Sequence, residues 1–150
     1  MTPQLLVDNR PAKGADVAPA AKAARDRAAP VRIDAAATLV DGEVSVALTL
    51  AAAAEDWEAP AKAGVTVVLF RKRAVTECTA GENKGKTLEE FFVVLEALDP
   101  VPLKDALKEE TKRAMKAPKD AKASDLGVAV LVEDAATMKT LACTWTGVRS

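Results

Sequence analysis

The sequence predicts an α+β fold that is mostly β. It combines a strand and a helix at the N-terminus with an antiparallel β-sandwich-like region that carries one added helix. Apolar residues make up 49% of the 150 residues, enough for a domain of this size to bury a core. An Ala-rich segment between Asp16 and Pro30 has the composition of a helix. Apolar and polar residues alternate on both sides of Asp41-Gly42, which is the pattern of a β-hairpin.

The N-terminal segment predicts a strand, a turn and a helix in that order. A short apolar run at residues 5–7 ends at Asp8-Asn9, a dipeptide that favours a turn. Asp16 can cap the Ala-rich helix, which has Pro19 in its first turn and ends before Pro30.

The middle of the chain predicts antiparallel strands. Residues 31–50 form the hairpin around Asp41-Gly42, because Asp-Gly readily takes the positive φ angles of a tight turn. Residues 65–73 are apolar enough for a central strand, and residues 74–78 are predicted as its hairpin partner.

Residues 88–98 leave two alternatives open. One face of a helix would carry Leu88, Phe91, Phe92, Leu95 and Leu98. The segment from Phe92 to Leu95 is also good strand material, because Val93 and Val94 are β-branched. Periodicity alone slightly favours the helix.

The last third of the chain predicts one helix and two strands. Leu103 and Met115 lie on one face of a charged helix over about 103–116. A polar linker follows, and residues 126–148 then predict two strands joined by a turn at 134–137.

Composition excludes several classes of protein. Lys and Arg total 21 against 22 acids, so the net charge is −1 and there is no overall basic field for nucleic acid. The chain has no histidine, which excludes imidazole bases, histidine-activated nucleophiles and histidine-ligated zinc. We therefore expect no catalytic residue, no metal site and no cofactor.

The two cysteines, Cys78 and Cys143, lie far apart in sequence, so they form neither a CxxC pair nor a zinc set. A secretory signal is not evident, and we therefore expect two reduced, partly buried thiols. No apolar run approaches the roughly 20 residues of a membrane-spanning helix.

The stretch AGENKGKT at residues 80–87 fits the loose pattern of a phosphate-binding loop. Gly81 and Gly85 would shape the turn, Lys86 would reach the terminal phosphate, and the Thr87 hydroxyl would bind magnesium. However, such a loop joins a buried parallel strand to a helix, and the Asp41-Gly42 hairpin favours antiparallel pairing instead. A hairpin or connecting loop is the stronger interpretation.

Short segments in order along the chain resemble an uncharacterised, mostly bacterial family of thioredoxin-like proteins with a domain of unknown function. The segments that carry the resemblance are Thr2-Pro3-Gln4 with residues 5–8, Gly81-Glu82-Asn83 with Gly85, Lys86 and Leu88, then Val93-Val94, and residues 128–134.

The resemblance implies a truncated thioredoxin-like strand-helix unit over residues 1–30, with Thr2-Pro3 at the cis-proline position, and a β-rich domain over 31–150. The family's CxxC half is expected to be missing, and neither Cys78 nor Cys143 matches a catalytic position. The resemblance also makes AGENKGKT a turn and moves residues 88–98 towards a strand.

From these observations we expect a non-catalytic structural or accessory subunit that contacts other protein subunits of a hetero-oligomeric assembly. A mitochondrial energy-converting complex, either the respiratory chain or ATP synthase, is the expected assembly, with the cytoplasm as the other expected location. Neither nucleic acid nor a membrane span is expected. The alternatives are a thiol-disulfide oxidoreductase fragment completed by a separate chain, and a nucleotide-binding protein that uses residues 80–87.

Overall fold

The structure is a computed structural model that describes residues 6–7, 10–11 and 13–150. Most of these residues lie in strands, which are β1 (Leu6–Val7), β2 (Arg10–Pro11), β3 (Val31–Val40), β4 (Glu43–Ala52), β5 (Ala63–Glu77), β6 (Thr87–Ala97), β7 (Val101–Pro102), β8 (Thr111–Lys116), β9 (Leu126–Asp134) and β10 (Lys139–Arg149). The helices are α1 (Val17–Asp26) and α2 (Leu103–Ala106), with 3₁₀ turns at Gly14–Asp16 and Ala123–Asp125.

The main sheet has eight strands in the order β6-β5-β9-β10-β3-β4-β8, with the short β7 also paired to β5. Its neighbouring strands are antiparallel except β10 and β3, which run parallel where Val148 lies opposite Ala37. The sheet curls around its own core as a mixed half-barrel. The prediction of an antiparallel β-sandwich-like region is therefore wrong, because among the described residues one curled, mixed sheet buries its own inner face instead of packing on a second sheet of similar size.

The core lies on the inner side of the curl, where β5 and β9 pair through most of their length. Along both strands alternate residues are almost completely buried, as in Val65 and Val67 of β5 and Val130 and Val132 of β9. Full burial of such a side chain stabilises the fold by about 1.5–3 kcal/mol. The predicted central strand is confirmed, and its alternation defines which side chains face outward.

The predicted hairpin at Asp41-Gly42 is confirmed. β3 and β4 pair from Val40 opposite Glu43 back to Val31 opposite Ala52. Asp41 and Gly42 have φ angles of 50° and 80°, the left-handed conformation that a two-residue turn between twisted strands requires.

The predicted helix over 103–116 is wrong beyond its first turn. α2 ends at Ala106, and the segment Thr111–Lys116 forms β8 against β4. Met115 is buried while its neighbours in β8 are exposed, so the segment follows the period of a strand. Leu103 and Met115 both enter the core, but from two different elements.

Of the two alternatives for residues 88–98, the structure shows the strand and not the helix, because β6 covers Thr87–Ala97. Residues 74–78 do not form the predicted partner of the central strand. Instead β5 continues to Glu77 and pairs with β6, with Glu77 opposite Thr87. The predicted closing hairpin is confirmed as β9 and β10, with Asp134 opposite Lys139.

The truncated thioredoxin-like unit predicted for residues 1–30 is contradicted. Among the described residues, β1 pairs only with β2, in a sheet of two strands, and α1 follows them. The expected positions of Thr2-Pro3 and the turn at Asp8-Asn9 lie outside the described residues. The predicted helix itself is confirmed as α1, which begins after Asp16. The boundary at residue 30 stays a prediction.

The curl brings the two edge strands of the sheet near each other at one end. The Lys116 N–H of β8 donates a hydrogen bond to a carboxylate oxygen of Glu96 in β6 (3.3 Å). Arg113 donates a hydrogen bond from its guanidinium to the Asp99 carbonyl oxygen (3.2 Å). These bonds link β8 to β6 and to the segment that follows β6, whereas in the described part of the chain the stretch of β6 before Val94 contacts only β5 as a strand partner.

Asp134 organises the turn between β9 and β10. It is the buried acid of the described residues, and its carboxylate accepts hydrogen bonds from the Thr137 hydroxyl (2.6 Å) and the Ala136 N–H (3.0 Å). The Thr137 hydroxyl, followed by the Ala136 N–H, holds the pKa of Asp134 below its ordinary value. These bonds outweigh the opposing effect of burial, and they explain why the chain reverses here.

The substitution Asp134→Asn should lower the free energy of unfolding at neutral pH. A folded-state pKa below the unfolded one stabilises the fold above the unfolded pKa, and this stabilisation disappears as the pH falls through the folded pKa. The difference between wild type and variant should therefore shrink below about pH 4. Urea denaturation between pH 7 and pH 2.5 measures it, with Asp56→Asn in an exposed loop as the charge-matched control. A difference that stays constant over this range would contradict the prediction.

Candidate functional site

The outward side of the sheet carries an apolar surface across four neighbouring strands. Because Val67 and Leu69 face the core, the residues between and beside them face outward. In one cross-strand row Val94, Phe70, Gly127 and Gly147 lie side by side. We call the surface the outer aromatic face and define it by Val68, Phe70, Phe92, Val94, Ala129, Leu131 and Trp145.

Phe70 lies at the centre of the outer aromatic face and is only 5% exposed. It stands opposite Gly127, and a Cβ atom at Gly127 would lie 2.3 Å from the Phe70 ring. Because Gly127 has no side chain, the Phe70 ring can lie directly over it on the sheet.

Two further rings flank Phe70. The Phe92 ring centroid lies 5.6 Å from that of Phe70 in a tilted arrangement, and the Trp145 centroid lies 6.1 Å away, edge to face. Both separations are within the 4.5–7 Å range in which aromatic pairs attract beyond simple burial, by about 0.5–1.5 kcal/mol. Three rings from three strands thus form one cluster.

Phe92 holds an unusual backbone conformation. Its φ angle is 54°, in the left-handed region that bulky residues rarely adopt. Such a conformation costs of the order of 1–3 kcal/mol and persists only where the surroundings enforce it. The Phe92 ring contacts Phe70 while its backbone is strained. Backbone strain of this kind is often found at functional positions.

The flanking side chains are largely open to solvent. Phe92 is 63% exposed, Val94 62% and Trp145 58%. Lys72 borders the face, where its ammonium group donates a hydrogen bond to the Ser124 carbonyl oxygen (3.0 Å). Exposed aromatic clusters with a polar rim are common among protein-binding surfaces.

The face continues into a hairpin arm, which we define as residues 72–92. β5 pairs with β9 only as far as Arg71, so beyond this residue β5 and β6 pair only with each other. On the opposite side of this arm, in the same alternation as the core-facing Leu69, Val75 and Phe91 are 55% and 61% exposed, and Arg73 forms an ion pair with Glu89. A two-stranded ribbon is only marginally stable in water by itself.

The AGENKGKT loop is the tip of the hairpin arm and joins two antiparallel strands. Gly81 and Gly85 have positive φ angles of 75° and 80°. The Lys84 and Lys86 N–H groups donate hydrogen bonds to carbonyl oxygens within the loop (3.1 and 3.0 Å), and the Gly85 N–H donates to the carbonyl oxygen of Cys78 just before it (2.8 Å). The Lys86 ammonium group donates to the Asn83 side-chain oxygen (3.3 Å).

A phosphate cradle needs free N–H groups at the start of a helix, whereas these N–H groups are bonded and Thr87 begins a strand. Residues 80–87 therefore have the geometry of a hairpin connection. The nucleotide-binding hypothesis for Gly81, Gly85, Lys86 and Thr87 now depends on residue types alone.

The remaining candidate groups do not form a second site in the described part of the chain. Cys78 and Cys143 are both free, and Cys143 lies exposed on β10. Among the residues that the structure describes, three or more potential metal ligands do not come together, and no helix is long and apolar enough to cross a bilayer. A shallow pocket between Lys62, Thr66 and Glu133 has about 200 Å³, which is below the roughly 300 Å³ at which small-molecule sites begin. A second depression, between Thr38, Ser45 and Arg113, has about 390 Å³ and is wide open to solvent.

These features describe a mostly β domain with one curled mixed sheet and an exposed aromatic surface. The family model described as a protein of unknown function, DUF1223, matches residues 1–133. The chain therefore belongs to the DUF1223 family. The expectation of an uncharacterised family is confirmed at this level, but nothing shows a thioredoxin-like relationship or a missing CxxC half.

Among solved structures, the chain is similar to a domain of the outer membrane lipoprotein Omp28 from Porphyromonas gingivalis. The sequence identity is 17%, the TM-score is 0.51, and the match covers 81% of this chain and 97% of that one. The likeness is one of fold. A search of the curated proteins finds no match.

The predicted mitochondrial or cytoplasmic location is contradicted by this likeness, because the similar domain belongs to a bacterial outer membrane lipoprotein. The thioredoxin-like assignment is likewise unsupported. Both expectations depended on the resemblance to thioredoxin-like proteins and on composition. Neither the resemblance nor the composition specifies which sheet these residues form.

Sequence reasoning missed the residues of the outer aromatic face. Phe92 was assigned to the apolar stripe of a possible helix, and Trp145 to a strand without a stated role. The alternation of Thr144, Trp145 and Thr146 is a signal that places Trp145 on the opposite face from its neighbours. It does not say which face is the core.

The close approach of Gly127 to Phe70 can be tested directly. Gly127→Ala should destabilise the fold by about 1–3 kcal/mol, because the new methyl group collides with the ring. Gly147→Ala is the matched control, since its Cβ would meet only the flexible end of Lys72 at 3.6 Å, and it should change stability by less than about 0.5 kcal/mol. Chemical denaturation measures both. Equal effects would contradict the prediction, and Phe70→Leu should reduce the cost of Gly127→Ala.

The backbone of Phe92 gives a second prediction. Phe92→Gly should be more stable than Phe92→Ala by about 0.5–1 kcal/mol, because the left-handed penalty for alanine exceeds the entropic cost of glycine. Glu90 is the control position on the same strand, where glycine should be less stable than alanine. Thermal or urea unfolding of the four variants compares the two pairs. The same order at both positions would argue against strain at Phe92.

Proposed function

We propose that this chain is a non-catalytic binding domain that serves as an accessory part of a larger protein assembly. The observation that carries the proposal is the pair of exposed rings, Phe92 and Trp145, on either side of the buried Phe70. A partner that covers these rings removes apolar area from water without rearranging the sheet.

The energetics of aromatic burial support this role. A large aromatic side chain can bury about 150–250 Å² on contact, and buried aromatic residues dominate the binding energy of many interfaces. Phe70 holds the flanking rings by direct contact, so little side-chain freedom is left to lose when a partner binds.

The acids with shifted pKa values support a structural rather than a chemical role. The pKa of Asp120 is lowered, first by hydrogen bonds from the Arg71 guanidinium at 3.0 and 3.1 Å. The pKa of Asp134 is lowered by the turn that it closes. Each shift has a local structural cause and stabilises a connection rather than a reacting group.

We place the chain in the bacterial cell envelope as part of the same proposal. The similar fold of the Porphyromonas gingivalis lipoprotein domain supports this location. An accessory domain in the envelope would contact other envelope proteins through the outer aromatic face.

Photo-crosslinking tests the proposed function. We expect p-benzoylphenylalanine at position 145 or 92 to yield a discrete species of higher mass in cells that naturally make the protein. Thr49 is the control position, since it is exposed on β4, outside the outer aromatic face. In addition, Trp145→Ser should reduce crosslinking from position 92.

Crosslinking at positions 145 and 92 that is no stronger than at position 49 would contradict the proposal. Elution of the protein only as a monomer in size-exclusion chromatography of native extracts, with no larger complex, would also count against the proposal.

A further inference from the structure

The two edges of the sheet are protected differently. The edge strand β8 has six residues and includes Lys112 and Lys116, which discourage pairing with another strand. The opposite edge strand, β6, has eleven residues and contains neither lysine nor proline. Lysine and proline are common devices that blunt a long edge, and β6 has neither; its charged residues are three glutamates, so its edge is open to a strand that carries the opposite charge.

The β6 edge is open between Thr87 and Val94. In this segment β6 pairs with β5 on one side, and no backbone bond joins its other side to the described part of the chain. Alternate N–H and C=O groups of an edge strand point outward and can extend the ladder, here on either side of Phe92, whose left-handed backbone interrupts the extended conformation. The open segment ends where the register shifts after Val94 and Glu96 is bonded to β8.

The side chains along this edge define what kind of strand fits. Glu90 and Val94 face outward on either side of Phe92, in continuity with the outer aromatic face. Glu89 is already paired with Arg73, whereas Glu90 forms no ion pair among the described residues. An added strand would therefore meet apolar groups at two positions and one unpaired carboxylate at a third.

We propose that β6 takes up an extended segment of another protein as an additional strand of the sheet. This segment carries a basic residue opposite Glu90 and apolar residues opposite Phe92 and Val94. The inference rests on the proposed function and specifies how the partner binds. Backbone bonds to β6 supply affinity, and the alternating side chains supply specificity.

The charges favour a different protein over a second copy of this chain. β6 contains three glutamates and no basic residue. In an antiparallel pair of β6 strands centred on Phe92, Glu90 would lie opposite Val94 of the second copy, and neither Glu90 would gain a cation. A partner segment with a basic residue would supply the missing cation for Glu90, because opposite charges on facing strands attract.

Peptide binding tests the inference. The probe is a fluorescein-labelled peptide, Thr-Val-Thr-Val-Ile-Lys-Thr, measured by fluorescence anisotropy with the full chain. Its Lys→Glu counterpart should bind roughly fivefold or more weakly, since an attractive pair becomes repulsive. A counterpart with proline at the central Val should not bind, because it lacks a ladder donor.

The matched protein variants are Glu90→Lys and Glu109→Lys, which change the net charge equally. Glu90→Lys should reverse the preference between the lysine and glutamate peptides, whereas Glu109→Lys, in the exposed loop after α2, should keep it. A merely structural role of Glu90 would not produce this reversal.

Three results would overturn the inference. They are a proline peptide that binds as well as the lysine peptide, a charge preference that Glu90→Lys does not change, and no binding of the lysine peptide at about 1 mM. Concentration-dependent dimerisation that Glu90→Lys strengthens would assign the edge to a second copy instead. Crosslinking at position 145 that persists in any of these cases would leave the proposed function standing without strand addition.

Discussion

The burial of one face of a single sheet is the constraint on which the rest of the structure depends. β5 and β9 place alternate valines and leucines on the inner side, where they are almost fully buried. In the described part of the chain no second large sheet packs on them, and the sheet curls so that its own strands and α2 enclose the core. The short parallel pairing of β10 with β3 joins the two antiparallel halves of this curl.

The same constraint generates the outer surface. When alternate residues of four strands turn inward, the residues between them turn outward and are lined up by the strand register. Phe70 is buried on this outer side only because Gly127 leaves room for its ring. The flanking rings of Phe92 and Trp145 then remain exposed, since the described part of the chain has no layer to cover them.

The curl also separates the two edges of the sheet into different chemical environments. At one end, bonds from β8 to Glu96 and Asp99 close the gap between the edges. At the other end, the hairpin arm extends beyond the last pairing of β5 with β9 at Arg71 and leaves β6 open. A surface rich in aromatic side chains and an adjoining open edge thus arise from one sheet, without an enclosed pocket or a clustered set of acids among the described residues.

The sequence by itself determined the local elements whose signals are short in range. These are the Asp41-Gly42 turn, the strands β5 and β9, the closing hairpin and α1. It also excluded histidine chemistry. It could not determine the strand order, the parallel contact, the division of 103–116 into α2 and β8, or the strand character of residues 88–98. Those outcomes depend on partners distant in sequence. Only the tertiary structure decided that Phe92 and Trp145 flank Phe70, because alternation assigns a residue to one of two faces, and the curl alone makes one face the core.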